Sequence, residues 1–155
     1  MIKLKVFIAL LVLTAASSAW AESVMVNHKD AKIRNGPGTD YTILWKPRLY
    51  TPMELLAPYG HWYAVRDVEG DVGWIHDSVS LKKPAAIVTS EYVNVRKSPS
   101  TKSRILFQAP KNYTFKIIGT KNGWYKIADP DGDKGWVSKK HVWDGGKRAK
   151  KKKKK

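Results

Sequence analysis

One acidic cluster and a few scattered polar residues are the candidates for chemistry in this sequence of 155 residues. Residues 129–133 begin with the acidic spacing of a calcium loop. The sixth position, where such a loop needs glycine, is Lys134, and the twelfth, where it needs glutamate, is Lys140. Asp and Gly also tolerate left-handed backbone angles, and β-forming runs flank the cluster. We therefore predict a hairpin turn there.

The residue types that most often hold metals or act as nucleophiles are sparse. The sequence has no cysteine, which excludes disulfides, cysteine–zinc sites and thiol catalysis. Its four histidines are scattered, whereas zinc needs three or four ligands brought together by the fold. A nucleophile-elbow motif and a glycine-rich phosphate loop are missing. We predict no metal, no cofactor and no catalytic residue, and thus a protein that is not an enzyme.

An internal repeat sets the organisation of the chain. Residues recur 62 positions apart without a gap, which predicts a duplication of one small domain. We assign the two copies to residues 22–82 and 84–144, with the boundary near residues 81–85. The identical pairs include Arg34 and Arg96, Pro37 and Pro99, Thr39 and Thr101, Trp62 and Trp124, Gly73 and Gly135, and Trp74 and Trp136.

Each copy is predicted to be all-β. Turn clusters such as Asn35-Gly-Pro-Gly38 and Lys121-Asn-Gly123 separate short β-forming runs at intervals of about 8 to 12 residues. No segment has a sustained helical stripe of apolar residues. Roughly 60 residues with this pattern fit a small closed or half-open barrel, which buries little core by itself.

Four tryptophans are predicted to lie off the core, two in each copy. Side chains alternate between faces along a strand, and Lys126 must face solvent, so Tyr125 and Ile127 face the core. Similar alternation places Val137 in the core. Four tryptophan side chains then lie on the opposite face of their strands: Trp62, Trp74, Trp124 and Trp136. Aromatic side chains of this size are candidate ligand contacts, or they cover the barrel or the seam between the copies.

Arg34 and Arg96 are further candidates for ligand binding, because they recur at equal positions beside tight turns. Each guanidinium could bind an anionic ligand, or it could pair with a nearby carboxylate such as Asp67 or Asp129. We favour the structural pairing.

The start of the chain has the layout of a secretory signal peptide over residues 1–21. Lys3 and Lys5 precede an apolar run over residues 6–13, and small residues precede a cleavage site after Ala21. The run is shorter than the about 20 apolar residues that span a membrane. We expect an exported protein, periplasmic or extracellular.

The formal net charge of +16 is concentrated at the other end. Residues 22–83 have 8 basic and 8 acidic side chains, and residues 84–146 have 11 and 5. We predict a disordered basic tail over residues 145–155, because dense like charge opposes folding. It is either a solubility tail or a tether to anionic polymers or lipid headgroups. The tether would use eight cations: Lys147, Arg148, Lys150, Lys151, Lys152, Lys153, Lys154 and Lys155.

Three motifs recur in order in the two copies. They are Ile33-Arg-Asn-Gly-Pro-Gly-Thr-Asp-Tyr41, Gly60-His-Trp-Tyr-Ala-Val65 and Gly70-Asp-Val-Gly-Trp-Ile-His76, followed by Val93-Asn-Val-Arg-Lys-Ser-Pro-Ser-Thr101, Gly123-Trp-Tyr-Lys-Ile127 and Gly132-Asp-Lys-Gly-Trp-Val137. Together they resemble the bacterial SH3-like domain family. The resemblance implies two tandem five-stranded SH3-like barrels and a binding role, often toward peptidoglycan or envelope proteins. It also puts Trp62 and Trp124 where SH3 domains keep a ligand-contacting tryptophan, whereas the acidic, tyrosine-rich motif that reads proline peptides is missing.

These observations favour a non-catalytic binding protein of the cell envelope. Its barrels would bind peptidoglycan or another envelope ligand through exposed aromatics, and its tail would add attraction to anionic surfaces. The alternative is an adaptor for an exported or membrane-associated envelope protein. Nucleic-acid binding is disfavoured by the export signal, although aromatic and basic residues are adjacent.

Overall fold

A computed structural model describes residues 22–146 as two antiparallel sheets of seven strands each. The predicted signal peptide and residues 147–155 of the predicted tail lie outside the described residues. The first sheet comprises β1 (Ser23–Val26), β2 (Ile33–Arg34), β3 (Ile43–Trp45), β4 (Pro52–Tyr59), β5 (Trp62–Arg66), β6 (Val72–His76) and β7 (Ser80–Leu81).

The second sheet repeats the first with the period of the sequence. It comprises β8 (Ala85–Val88), β9 (Tyr92–Arg96), β10 (Ile105–Pro110), β11 (Thr114–Lys121), β12 (Trp124–Ala128), β13 (Lys134–Ser138) and β14 (Val142–Trp143). A short 3-10 helix precedes the last strand of each sheet, over Asp77–Val79 and Lys139–His141. No helix of residues 22–146 has the length and apolar character of a membrane span.

The strand order is the same in both sheets. It is β3-β2-β6-β5-β4-β1-β7 in the first and β10-β9-β13-β12-β11-β8-β14 in the second. The long strands β4 and β11 each contain one register shift, which bends a sheet so that it can curl into a small barrel. The prediction of an all-β chain with two small SH3-like barrels is confirmed.

Each sheet encloses its own core. In the first, Ile33, Met53, Val65 and Ile75 are fully buried. In the second, equivalent strands bury a second cluster around the fully buried ring of Phe115: Val95, Ile127 and Val137, with Tyr113, Ile117 and Tyr125 packed against it. The predicted alternation is thus confirmed, because the side chains assigned to the core are the ones that pack there.

Tyr125 joins the second core to the chain beyond β14. Its hydroxyl donates a hydrogen bond to the Asp144 carboxylate. Burial raises the pKa of the Tyr125 phenol well above its usual range, and the Asp144 carboxylate raises it further. The neutral phenol is therefore the form that the folded state prefers.

Alkaline destabilisation should be smaller in Tyr125→Phe. Above about pH 10 the unfolded chain loses the phenolic proton while the folded chain keeps it, so this group makes folding less favourable as the pH rises. We expect the melting temperature of the native chain to fall more steeply between pH 9 and pH 11 (about one unit on either side of the free phenol's pKa) than that of Tyr125→Phe. Parallel curves would contradict this role.

The two barrels contact each other along a seam formed by Leu49, Tyr50, Thr114, Lys116 and Gly145. The buried Thr114 hydroxyl in β11 donates a 2.7 Å hydrogen bond to the Leu49 carbonyl of the first domain. The Lys116 ammonium lies 5.4 Å from the centre of the Tyr50 ring. Gly145 packs against β1 and β4 with a φ of 86° that suits glycine. The duplicated domains therefore form one connected body at these residues. The prediction of a disordered tail from residue 145 is wrong at its first two residues, because Gly145 packs there and the Gly146 carbonyl accepts a hydrogen bond from Trp143.

Thr114→Val should test the seam. The substitution keeps the shape of the side chain but leaves the Leu49 carbonyl without its donor, and we expect the free energy of unfolding to fall by about 1 kcal/mol. Urea unfolding followed by tryptophan fluorescence measures it. Thr120→Val is the control, because the exposed Thr120 hydroxyl makes only a 3.3 Å bond to a carbonyl of its own hairpin. Equal stabilities for the two variants would argue against a stabilising seam.

Candidate binding grooves

Each domain has a surface groove at the same place. The groove of the first domain has a volume of about 300 Å³ and is lined by Asp30, Ala31, Lys32, Arg34, Thr39, Trp62, His76, Ser78 and Val79. The groove of the second domain has a volume of about 630 Å³ and is lined by Ser90, Glu91, Tyr92, Val93, Asn94, Arg96, Thr101, Asn122, Gly123, Trp124, Ser138, Lys140 and His141. Every lining position of the first groove recurs in the second, 62 residues later.

Three lining residues are identical in the two grooves: a threonine, an arginine and a tryptophan. Arg34 ends β2 and Trp62 begins β5, whereas Thr39 lies in the loop after β2. Arg96, Trp124 and Thr101 hold the same places in the second domain. The structure thus brings together four of the six side chains that the sequence proposed as ligand contacts in the barrels. Both threonines were missed, although their identity across the repeat was a signal.

The two arginines are held by the backbone. Nη1 of Arg34 donates to the Tyr41 carbonyl, and Nη1 of Arg96 donates to the Ser103 carbonyl, both at 2.7 Å. The pairing of Arg34 with Asp67 that we favoured is wrong, and so is the pairing of Arg96 with Asp129, because carbonyls of the following loop hold the guanidinium groups. A guanidinium has five N–H donors, so each arginine keeps donors for a ligand.

The two aspartates cap their own turns instead. Asp129 Oδ1 accepts from the backbone N–H groups of Asp131 and Asp133, and its Oδ2 accepts from the Tyr113 hydroxyl. Burial raises the pKa of Tyr113, and the Asp129 charge raises it further. Gly132 has a φ of 94°, which suits glycine in a tight turn. The predicted hairpin turn between β12 and β13 is confirmed.

A histidine pair flanks the first groove. The rings of His61 and His76 stack with centroids 5.9 Å apart, and the Trp62 and His76 rings are nearly perpendicular with centroids 5.0 Å apart. Nδ1 of His61 lies 2.9 Å from the Asp77 carboxylate. The hydrogen bond from His61 lowers the pKa of Asp77, and the charges of His61 and His76 add to the effect. Sequence reasoning noted both histidines but did not place His76 in the groove.

The second groove lacks this pair and has other polar groups. Gly123, Ser138 and Lys139 stand where the first domain has His61, His76 and Asp77. Tyr92, with 53% of its surface exposed, and Asn94 replace Asp30 and Lys32. No repeat signal pointed to Tyr92, because its counterpart is an aspartate. The second groove is therefore larger and more aromatic than the first.

Trp74 and Trp136, the other two predicted ligand contacts, do not line the grooves. Trp74 meets the exposed ring of Tyr59 edge-on at 6.3 Å, on the outer face of the first sheet. Trp136 lies between Arg96 and Lys126 in the strand register of the second sheet. Within residues 22–146, no three His, Asp or Glu side chains cluster so that they could hold a metal ion.

Two tandem β-barrels, each with a groove that contains the same three residue types, define a duplicated small-barrel protein. Models of the bacterial SH3 domain match residues 27–79 and residues 91–142. The chain belongs to the bacterial SH3 domain family, as two domains in tandem.

A curated relative is the putative N-acetylmuramoyl-L-alanine amidase YrvJ of Bacillus subtilis (strain 168), which is 24% identical over 144 residues. The match covers 86% of this chain but only 27% of the relative. The sequence led us to expect a protein that is not an enzyme, because catalytic motifs are missing. That expectation is wrong, since the matched relative is a putative amidase.

Two solved structures that match this chain share little of its sequence and align to it with low TM-scores. NlpC2 from Trichomonas vaginalis is 14% identical, with a TM-score of 0.36 over 79% of this chain and 47% of that chain. An NlpC/P60 family protein from Bacillus cereus ATCC 10987 is 15% identical, with a TM-score of 0.36 over 79% of this chain and 56% of that chain.

Proposed function

We propose that this protein is a cell-envelope protein whose two SH3 domains bind peptidoglycan through the paired grooves. The observation that carries the proposal is the same Thr–Arg–Trp set at equal positions in both grooves. A duplicated site suits a polymer that presents the same chemical group repeatedly, because one strand can then occupy both grooves.

The lining residues fit a ligand made of sugars and short peptides. The tryptophan ring offers a flat apolar surface, and the arginine and threonine offer hydrogen-bond donors at its side. Binding sites of this kind combine an apolar surface with a few fixed polar groups. The putative amidase among the relatives is named for a bond in peptidoglycan, which supports this ligand class.

Export and attraction to anionic surfaces belong to the same proposal. The layout of residues 1–21 supports delivery to the periplasm or the cell exterior. The eight cations over residues 147–155 would add attraction that does not depend on the grooves. Salt should weaken that attraction strongly, because exposed charges are screened over about 8 Å at physiological ionic strength.

Co-sedimentation with purified, insoluble peptidoglycan tests the proposal. The native chain and a chain lacking residues 147–155 should both bind at low salt, and the truncated chain should keep most of its binding as salt rises. The supernatant is assayed for released fragments, so that turnover is measured alongside binding. No binding of either chain at low salt would overturn the proposal, and binding of both that disappears at moderate salt would reduce it to charge attraction.

A further inference from the structure

The outer face of the second sheet carries a group of cations around one tryptophan. This cationic face consists of Arg96, Lys121, Lys126, Lys134 and Trp136. In the strand register, Trp136 pairs with Arg96 on one side and with Lys126 on the other. Neighbouring strands lie about 4.8 Å apart, so the backbones at Arg96 and Lys126 are separated by about 10 Å, with Trp136 on the strand between them. Lys134 precedes Trp136 by two residues and shares its face.

The first domain provides an internal comparison at the same positions. Trp74 pairs there with Arg34 and Ala64, so the tryptophan and the arginine are kept. The three lysines of the cationic face are not kept, since their counterparts are neutral: Tyr59, Ala64 and Val72. The fold therefore does not require these lysines, and their charge distinguishes the second domain.

The lysines are free to meet a partner. Lys121, Lys126 and Lys134 are exposed. The ion pairs of residues 22–146 involve no residue of the cationic face. Lys121 pairs with Trp124 in the strand register. Its first-domain counterpart Tyr59 also contacts Trp74, with ring centroids 6.3 Å apart, so a side chain at this position can reach the tryptophan two strands away.

We propose that the cationic face binds an anionic polysaccharide around Trp136, beside the groove of the second domain, with which it shares Arg96. The Trp136 ring would pack against the apolar face of one sugar, and the surrounding lysines and Arg96 would contact acidic groups on that sugar and its neighbours. Charge complementarity selects a polyanion. The secretory signal layout of residues 1–21 favours a sugar chain of the cell envelope over nucleic acid.

Exchange of the three lysines for their first-domain counterparts tests the proposal in the full chain. The variant is Lys121→Tyr, Lys126→Ala and Lys134→Val, and the control with the same net charge is Lys29→Ala, Lys46→Ala and Lys111→Ala, three exposed loop positions. We expect the variant to bind polygalacturonate about tenfold more weakly at low salt, and with a smaller salt dependence. Both triple variants keep residues 147–155. The affinity of the control for polygalacturonate should stay within about twofold of that of the native chain.

Further arms of the experiment separate the other outcomes. Uncharged dextran should not bind, and polyglutamate of equal charge should bind more weakly than polygalacturonate. If the triple variant unfolds, Lys126→Ala alone replaces it in the experiment. We expect this single variant to lose about threefold in affinity for polygalacturonate. Equal losses in the variant and the control, equal binding of dextran or polyglutamate, or tighter binding of a single-stranded oligonucleotide would each overturn the proposal.

Discussion

Gly135→Ala should destabilise the second domain by about 2 kcal/mol. Gly135 lies in β13 beside β9, and a Cβ atom there would overlap the buried side chain of Val95 and come within 3.1 Å of the Arg96 carbonyl. The carbonyl belongs to the backbone and Val95 is buried, so neither can move aside at low cost. Overpacking of this kind commonly costs 1–3 kcal/mol (order of magnitude).

Urea unfolding measures the effect, with Gly119→Ala as the matched control. A Cβ atom at Gly119 would meet only the Lys126 side chain, at an ordinary contact distance of 3.4 Å. We expect the control to unfold at nearly the native urea concentration. Gly73→Ala should reproduce the Gly135→Ala loss in the first domain, because its Cβ atom would overlap Ile33 and lie 3.1 Å from the Arg34 carbonyl. A native midpoint for Gly135→Ala would show that β9 and β13 can separate.

Trp124→Ala is expected to weaken binding to peptidoglycan about tenfold, which corresponds to about 1.4 kcal/mol. Trp124 has the largest side chain that lines the wider groove, and its loss removes a wall against which a sugar or peptide would pack. Trp62→Ala should weaken binding in the same direction but less, because the first groove is smaller. Binding isotherms with insoluble peptidoglycan at moderate salt measure both.

Two further variants identify the cause of any loss. Trp124→Phe keeps an aromatic wall and should recover part of the affinity. Trp74→Ala removes an aromatic side chain that lies outside the grooves, and it should leave binding near the native level. Equal losses for Trp74→Ala and Trp124→Ala would place the ligand elsewhere on the sheets.

The fold followed from two patterns in the sequence. Alternation along β12 and β13 separated Ile127 and Val137, which are buried, from Trp124 and Trp136, which are not. The period of 62 residues then carried every strand assignment from one copy to the other. Both patterns are local or repeated, so a single sequence is enough to read them.

The site was only partly predictable, because its geometry depends on loops. Arg34 was expected to pair with a carboxylate, but the loop after β2 presents the Tyr41 carbonyl to it. Trp62 and Trp74 look alike in the sequence, yet only Trp62 lines a groove. The seam also lay beyond sequence reasoning, since nothing in residues 49 and 114 marks them as neighbours.

The seam has a consequence for the strength of binding. Because Thr114 and Leu49 join the barrels, a strand long enough to reach both grooves would meet the second groove at a high effective concentration. Avidity of this kind can raise affinity by about 10²–10⁴ without any new contact, and it vanishes for fragments that fill one groove. The protein would then distinguish long strands from short ones, and an enzyme that cuts the polymer would release it.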